Sequence, residues 1–168
     1  RSSDLHSERR HVFGETDFEE NKKVHAALSH GFTTLLCIGE TAAEKEYGMS
    51  DEVLRTQLKV GFHGITKEQV PNIWVAYEPV WSIGVNGIPA SAEYAEEKHK
   101  IIKSTLFELF GEEASDIPVL YGGSVNPQNA NQLIVQPSID GLFTGRSAWQ
   151  ADNFNSLIRD AKETYDNQ

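Results

Sequence analysis

Short apolar runs alternate with amphipathic stretches along this chain, a pattern that predicts parallel strands joined by helices. Strands are predicted at residues 32–38 (FTTLLCI), 73–77 (IWVAY), 117–121 (IPVLY) and 139–144 (IDGLFT). The first three runs are nearly continuous apolar segments, as expected for strands buried on both faces of a parallel sheet. Asp140 and Gly141 interrupt the fourth run, so its strand pattern is weaker.

The amphipathic segments between these runs predict helices. The longest covers residues 91–110 with Ser91 as its N-cap, and Gly31 is expected to end a helix over residues 18–30 whose apolar face includes Phe18 and Val24. Further helices are predicted at residues 53–62, directly after Asn126-Pro127, and at residues 152–165. Strands alternating with helices imply right-handed βαβ units, so we expect an α/β fold of four strand–helix repeats, preceded by a loop and a helix.

Composition narrows the classes of partner. The chain has 168 residues and a net charge of −10, which disfavours nucleic acid or an anionic membrane as a partner. No apolar run reaches the roughly 20 residues of a membrane span. A small anionic substrate remains compatible, because backbone N–H groups bind phosphate without a basic surface. The single cysteine, Cys37, and an N-terminal segment without the apolar core of a signal peptide indicate a cytoplasmic protein.

Glu78 and the loop after it are the first candidate site. Glu78 directly follows the strand at residues 73–77, and α/β folds carry their active sites at the carboxyl ends of strands. A carboxylate there suits a general base, but a helix-capping or salt-bridged glutamate fits the same position.

The loop after Glu78, with prolines near both ends and glycines inside, predicts a lid that closes as a unit. An ordinary surface loop held down by Trp81 is the alternative. The lid residues are Pro79, Val80, Trp81, Ser82, Ile83, Gly84, Val85, Asn86 and Gly87.

Two glycine turns follow the last two predicted strands. They are Gly122-Gly123-Ser124 and Gly145-Arg146-Ser147. Glycine lets the backbone approach a ligand closely and directs N–H groups into a concavity. One such turn is most simply an ordinary tight turn, whereas two at equivalent positions are typical of the phosphate site of α/β barrels.

His6 lies just before Ser7-Glu8, which has the pattern of a helix start. The positive end of the helix dipole favours the neutral imidazole, which can donate a hydrogen bond to a carbonyl; a solvated terminal histidine is the alternative. The other histidines and Cys37 lack metal-ligand spacing, and no lysine falls in a predicted strand as a Schiff-base mechanism would require. Nor is there a dinucleotide or P-loop motif, so we expect neither a metal nor a cofactor.

Five segments carry a resemblance to a known family. They read HSERR at residues 6–10, CIGE at 37–40, AYEPVW at 76–81, YGGSVN at 121–126 and DGLF at 140–143. In this order, and over essentially the whole chain, the sequence resembles the triosephosphate isomerase family. That resemblance implies a (β/α)8 barrel and a cytoplasmic homodimer. It also implies interconversion of dihydroxyacetone phosphate and glyceraldehyde 3-phosphate in glycolysis and gluconeogenesis.

The resemblance also assigns roles to individual residues. Glu78 would be the base that moves a proton between adjacent carbons through an enediolate, and His6 the neutral electrophile that polarises the carbonyl. Glu8 looks like the family's supporting carboxylate. The N–H groups expected to bind the substrate phosphate lie at Gly84, Ser124, Gly145 and Arg146.

Several positions differ from the family pattern. Gly84 is followed by Val85-Asn86-Gly87, where the lid usually continues Thr-Gly-Lys, and Arg146 replaces the second glycine of the last turn. These two changes are similar to a paralogous branch that isomerises four-carbon erythrulose phosphates, so a tetrose phosphate is an alternative substrate. Leu5 stands where the family has a glycine, which would alter the loop before His6.

The largest difference is length. The family barrel has eight strand–helix units in roughly 250 residues, whereas this sequence enters it at the end of the fourth strand. Residues 1–168 are therefore expected to be one incomplete barrel domain, comprising the last four strand–helix units and the preceding loop and helix. The family's lysine and asparagine after the first strand are absent from this sequence. We expect the fragment alone to be inactive, and a non-catalytic phosphate-binding half barrel is a further alternative.

Overall fold

The architecture is a parallel sheet with its helices as crossovers, seen in a computed structural model that describes residues 2–84 and 87–167. Five strands lie side by side in chain order, and every neighbouring pair is parallel. They are β1 (Ser2–Leu5), β2 (Thr33–Ile38), β3 (Ile73–Tyr77), β4 (Val119–Tyr121) and β5 (Gly141–Leu142). The α/β prediction is confirmed, and the open sheet agrees with a partial barrel.

The strand bounds differ from the prediction at both edges of the sheet. Only the end of a strand was expected before His6, but β1 pairs with β2 over four residues. At the other edge the strand predicted at residues 139–144 is only two residues long. There the Val119 N–H donates to the Asp140 carboxylate at 2.8 Å, so it bonds to a side chain and not to a backbone carbonyl of the neighbouring strand.

The helices follow the strands as expected from the sequence. They are α1 (Glu8–His11), α2 (Asp17–Ser29), α3 (Ala42–Glu46), α4 (Ser50–Gly61), α5 (Ala92–Phe110), α6 (Ala130–Ile134) and α7 (Ala151–Asp166), with short 3-10 turns at Lys67–Asn72, Val80–Ser82, Gly111–Asp116 and Arg146–Ala148. The Ser91 hydroxyl caps α5 by accepting the Tyr94 N–H at 3.2 Å. Gly31 follows α2 with φ 73°, a left-handed conformation that suits glycine.

Two helical details were not predicted correctly. The helix expected directly after Asn126-Pro127 begins only at Ala130, because the Asn126 side chain accepts the N–H groups of Gln128 and Asn129 and holds a turn there. Helix α3 was not predicted at all, although Thr41 and Glu44 form a capping box at its start.

The main core lies between the sheet and helices α2, α4 and α5. Strand β2 contributes Leu36 and Ile38 to this core, and Leu5 from β1 joins them. The intervening residues Leu35 and Cys37 form a smaller cluster on the opposite face. Strand β2 is thus buried on both faces, as its continuous apolar sequence predicted.

The inner face of α2 is not the one predicted. Val24 is fully buried as expected, but Phe18 is 72% exposed. Glu20 is 0% exposed instead. The helix therefore turns a carboxylate, rather than an aromatic ring, toward the protein.

No helix in the described part of the chain is long and apolar enough to cross a membrane.

Candidate active site

The carboxyl ends of the strands bring the predicted site residues to one edge of the sheet. Hydrogen bonds of the ladder extend one residue past the strands: the Glu78 N–H donates to Ile38 O at 2.7 Å, and the Gly122 N–H donates to Tyr77 O at 2.7 Å. These bonds fix the backbone of Glu78 beside the glycine turn after β4. The backbone position of Glu78 is thus set by the sheet and not by the longer loops.

His6 and Glu78 are in direct contact. His6 Nε2 lies 3.1 Å from Glu78 Oε1, and the Ser7 N–H donates to Glu78 Oε2 at 3.0 Å. The Glu8 N–H donates to His6 Nδ1 at 3.2 Å. Because Nδ1 accepts that bond, the proton of a neutral imidazole lies on Nε2, which then donates to Glu78. The two side chains differ in burial, with 37% of His6 exposed but only 2% of Glu78.

Glu8 takes part through its backbone. Its side chain is exposed, and among the hydrogen bonds of the described residues its N–H is the group that reaches His6. The described contact of Glu8 with His6 is thus made by its backbone, and the supporting role of its carboxylate stays a prediction.

Two glycines make room for Glu78. A Cβ at Gly122 would lie 2.8 Å from Glu78 Cγ and 3.1 Å from Phe143 Cδ1. A Cβ at Gly39 would lie only 2.0 Å from the Glu78 carbonyl oxygen. Gly122 was predicted to lie in a phosphate-binding turn, and no role was predicted for Gly39. Their contacts with Glu78 become visible only once the strands are in register.

The start of the predicted lid is anchored by a buried carboxylate that sequence reasoning missed. Glu40 follows β2 and is 0% exposed. It accepts hydrogen bonds from Trp81 Nε1 at 2.8 Å, from the Tyr94 hydroxyl at 2.8 Å and from the Tyr77 hydroxyl at 3.0 Å. Lys45 Nζ lies 3.4 Å from the centroid of the Trp81 ring, where a cation–π interaction is favourable. The sequence signal for Glu40 was the same as for Glu78: a carboxylate directly after an apolar strand.

The phenols around Glu40 stay protonated. Burial, reinforced by the negative charge of Glu40, raises the pKa of Tyr77 well above its usual value. Burial and the hydrogen bond to Glu40 raise the pKa of Tyr94 to about 12, against an opposing hydrogen bond with Ser50. Both hydroxyls therefore remain donors to Glu40 at neutral pH.

Both glycine turns contact the lid. The Ser124 hydroxyl donates to Ser82 O, and Arg146 Nη2 donates to Gly84 O at 2.6 Å. A Cβ at Gly123 would lie 2.6 Å from Ser82 Oγ, so this glycine allows the close approach. The lid residues Val85 and Asn86 lie outside the described residues.

The remaining predicted phosphate-binding residue is Gly145. It precedes the 3-10 turn Arg146–Ala148, and the space around its Cα is open, with no atom within 4 Å of a Cβ placed there. Arg146 thus contacts Gly84 directly, Ser124 contacts Ser82 two residues before Gly84, and Gly145 is adjacent to Arg146 in the chain. No group of three or more metal-ligating side chains occurs within residues 2–84 and 87–167.

Known proteins resemble this chain along most of its length. The family described as triosephosphate isomerase matches residues 5–161. The L-erythrulose-1-phosphate isomerase of Rhizobium etli is 51% identical over 91% of this chain and 57% of its own length. The enzyme of the same name from Rhizobium meliloti is 49% identical over 92% of this chain and 60% of its own length.

A relative with a different name is nearly as similar. The triosephosphate isomerase of Geobacter metallireducens is 46% identical over 91% of this chain and 61% of its own length. The chain thus spans about three fifths of the length of these curated relatives. The family match covers nearly all of the chain and includes His6, Glu78 and both glycine turns. The chain belongs to the triosephosphate isomerase family.

Proposed function

We propose that the protein carrying this chain isomerises a short sugar phosphate, with Glu78 as the group that moves the proton. The observation that carries the proposal is the contact between His6 Nε2 and Glu78 Oε1 at 3.1 Å, next to two glycine turns. A carboxylate can accept a proton from carbon, and a neutral imidazole can donate to the neighbouring oxygen. Together they are what an enolisation requires.

The reaction begins with an exchange of partners. Without substrate, the Glu78 carboxylate accepts hydrogen bonds from His6 Nε2–H and from the Ser7 N–H. A substrate carbonyl oxygen would take over the bond from His6, and the Glu78 carboxylate would turn to the adjacent C–H. Because the Glu78 side chain is only 2% exposed, little water competes for the proton it takes up.

Proton transfer then proceeds in two steps. Glu78 removes the proton from the carbon next to the carbonyl, the C–H electron pair forms the C=C bond, and His6 stabilises the developing oxyanion. Glu78 returns the proton to the former carbonyl carbon while the hydroxyl proton moves to the other oxygen. The carbonyl has then shifted by one carbon, with no change in atoms or charge.

The substrate we propose is a four-carbon ketose phosphate. The sequence alone favoured dihydroxyacetone phosphate, but the relatives with 49–51% identity are named L-erythrulose-1-phosphate isomerases, and the triosephosphate isomerase from Geobacter metallireducens reaches 46%. The lid sequence after Gly84 and the arginine at position 146 support the same choice. In L-erythrulose 1-phosphate the C1 oxygen carries the phosphate, so the proton leaves C3, an internal carbon, and the product is a second ketose. A three-carbon substrate would give an aldehyde.

That difference makes the proposal testable by product analysis. The full protein is incubated separately with L-erythrulose 1-phosphate and with dihydroxyacetone phosphate, and the product carbonyl is followed by ¹³C NMR. We expect conversion of the tetrose phosphate to a new ketone with a kcat/KM at least about tenfold higher, equivalent to roughly 1.4 kcal/mol. Preference for dihydroxyacetone phosphate would overturn the substrate assignment. If neither compound reacts, the isomerase proposal fails, and binding without turnover would favour the non-catalytic phosphate-binding alternative.

The coding sequence upstream of Arg1 provides an independent test. We expect an in-frame strand followed by the family's asparagine and lysine, which this sequence does not contain. That lysine would supply a fixed positive charge near the substrate. If the gene encodes no such segment, catalysis would have to proceed without that charge, and the proposal of an active isomerase would weaken.

A further inference from the structure

The side chain of Arg146 connects the last glycine turn with the lid. Arg146 lies in the turn after β5, and its Nη2 donates to the Gly84 carbonyl at 2.6 Å. The sequence predicted a phosphate-binding backbone N–H at this position and a positive charge near it, but no contact between the side chain and the lid. Arg146 is exposed, so packing against neighbouring side chains does not force its guanidinium into this contact with Gly84.

The lid is held by both glycine turns at neighbouring points. The Ser124 hydroxyl of the turn after β4 donates to Ser82 O, and Arg146 of the turn after β5 donates to Gly84 O. The two bonded carbonyls are only two residues apart in the chain. The turns expected to bind the phosphate therefore also determine where the first half of the lid lies.

The partner of Arg146 differs from the partners of the cations in the short helices α1 and α3 that follow β1 and β2. Arg9 pairs with Glu15, Arg10 pairs with Asp17, and Lys45 lies over the ring of Trp81. Within the described part of the chain Arg146 forms no ion pair, and its partner is a neutral carbonyl. In a chain with a net charge of −10, its positive charge is thus not compensated by a carboxylate.

The geometry of a guanidinium allows two partners at once. Its five N–H donors lie in one plane in a fixed fork, and the contact with Gly84 O uses one terminal nitrogen. The remaining edge can bind two oxygens of a phosphate side by side, as arginine does elsewhere. A phosphate held by the glycine turns would lie at the same edge of the sheet as this guanidinium.

We propose that the Arg146 side chain bridges the substrate phosphate and the Gly84 carbonyl, so that one guanidinium holds both the phosphate and residues 82–84. This inference rests on the proposed function, because it assumes that the glycine turns bind the phosphate. It makes the guanidinium, and not only the backbone N–H of this turn, a ligand for a phosphate monoester. The bridge holds residues 82–84 in place when the phosphate is bound.

The test compares three variants of the full protein. Arg146→Ala removes the bridge, Arg146→Lys keeps the charge but not the planar fork, and Arg159→Ala removes one positive charge from the exposed side of α7 as a matched control. The probe is glycerol 3-phosphate, which has a phosphate monoester but no carbonyl to react. Its affinity is measured by calorimetry, and the hydrogen exchange of amides 82–84 is followed with and without the probe.

The expected result is a combined loss of affinity and lid protection. Arg146→Ala should weaken binding on the order of 10- to 100-fold, as for loss of charge-assisted hydrogen bonds, and binding should no longer slow exchange of the lid amides. Arg146→Lys should fall between, and Arg159→Ala should match the wild type within about twofold. Equal affinity and equal lid protection in Arg146→Ala and Arg159→Ala would overturn the bridge, as would absence of binding to the wild type.

The outcomes also separate this inference from the proposed function. If binding of glycerol 3-phosphate depends on Arg146 but no sugar phosphate is isomerised, the bridge stands and the isomerase proposal fails. If the sugar phosphate is isomerised and its KM is unchanged in Arg146→Ala, the isomerase proposal stands and the bridge fails.

Discussion

Two buried ionisable side chains, His99 and Glu20, should make the stability of this protein change with pH in opposite directions. His99 on α5 is 0% exposed and lies against the rings of Tyr77 and Tyr121, with ring centroids 5.8 Å and 6.2 Å away. Its Nδ1 lies 3.2 Å from Ser138 O. Burial lowers the pKa of His99 to about 4, against the smaller opposing effect of the bond to Ser138.

The pKa of Glu20 on α2 is shifted in the opposite direction. It is also 0% exposed, and burial, with a contribution from the neighbouring Glu15, raises its pKa to about 7. The positive charge of Arg10 opposes this shift without cancelling it. At neutral pH about half of the folded molecules would therefore carry a proton on this carboxyl.

The signs follow from the change in pKa between the unfolded and folded states. The folded state favours neutral His99, so its contribution to stability is complete above about pH 6.5 and is lost as the pH falls toward about 4. The folded state favours protonated Glu20, so its contribution is complete below about pH 4.5 and is lost as the pH rises through about 7. Between about pH 5 and pH 7 each effect amounts to about 2 kcal/mol, and the two nearly cancel.

Single substitutions should reveal the two effects separately. The free energy of unfolding is measured by urea denaturation at several pH values for the wild type, Glu20→Gln and His99→Gln. Relative to wild type, Glu20→Gln should gain about 2 kcal/mol of stability from about pH 5 to pH 7, and His99→Gln should lose about 2 kcal/mol over the same range. If all three proteins show the same dependence on pH, or if either variant shifts in the other direction, the reasoning is refuted.

Three further substitutions test the packing around the site. Gly122→Ala places a Cβ 2.8 Å from Glu78 Cγ, so we expect the displaced carboxylate to lower activity on the order of 100-fold. A Cβ at Gly145 would have no atom within 4 Å, so Gly145→Ala should leave the free energy of unfolding nearly unchanged. Wild-type activity in Gly122→Ala would contradict this account of the contact. Glu40→Ala removes the acceptor of Trp81, of the buried Tyr77 and of the half-buried Tyr94, and should cost about 3 kcal/mol in urea denaturation. A loss below about 0.5 kcal/mol would show that Glu40 does not anchor the lid.

The sequence predicted the sheet well where burial dominates. Strand β2 is apolar at nearly every position because both of its faces are covered, and that continuity is visible without a structure. Strand β5 was predicted too long because the side chain of Asp140 takes part in the ladder, which a hydropathy pattern does not show. The inner face of α2 was misassigned because the apolar Phe18 is exposed and the charged Glu20 is buried, the reverse of what a hydropathy pattern predicts.

The site was predictable in part. The position of Glu78 and of both glycine turns followed from the general placement of active sites at the ends of parallel strands. The contact of His6 with Glu78 depends on β1 pairing with β2 and β2 with β3, so composition and spacing alone could not distinguish it from a solvated histidine. The contact of the Arg146 side chain with Gly84 O could not be predicted because the two residues lie far apart in the chain.

Exchange of substrate hydrogen with solvent tests the central claim, that Glu78 moves the proton, most directly. The full protein is incubated with L-erythrulose 1-phosphate in D2O, and deuterium in the recovered sugar phosphate is measured by NMR. The wild type and Glu163→Gln, a control on the exposed side of α7, should incorporate deuterium at the same rate. Glu78→Gln should be slower by on the order of 10²- to 10⁴-fold, the usual contribution of a general base. Incorporation at the wild-type rate in Glu78→Gln would contradict the account.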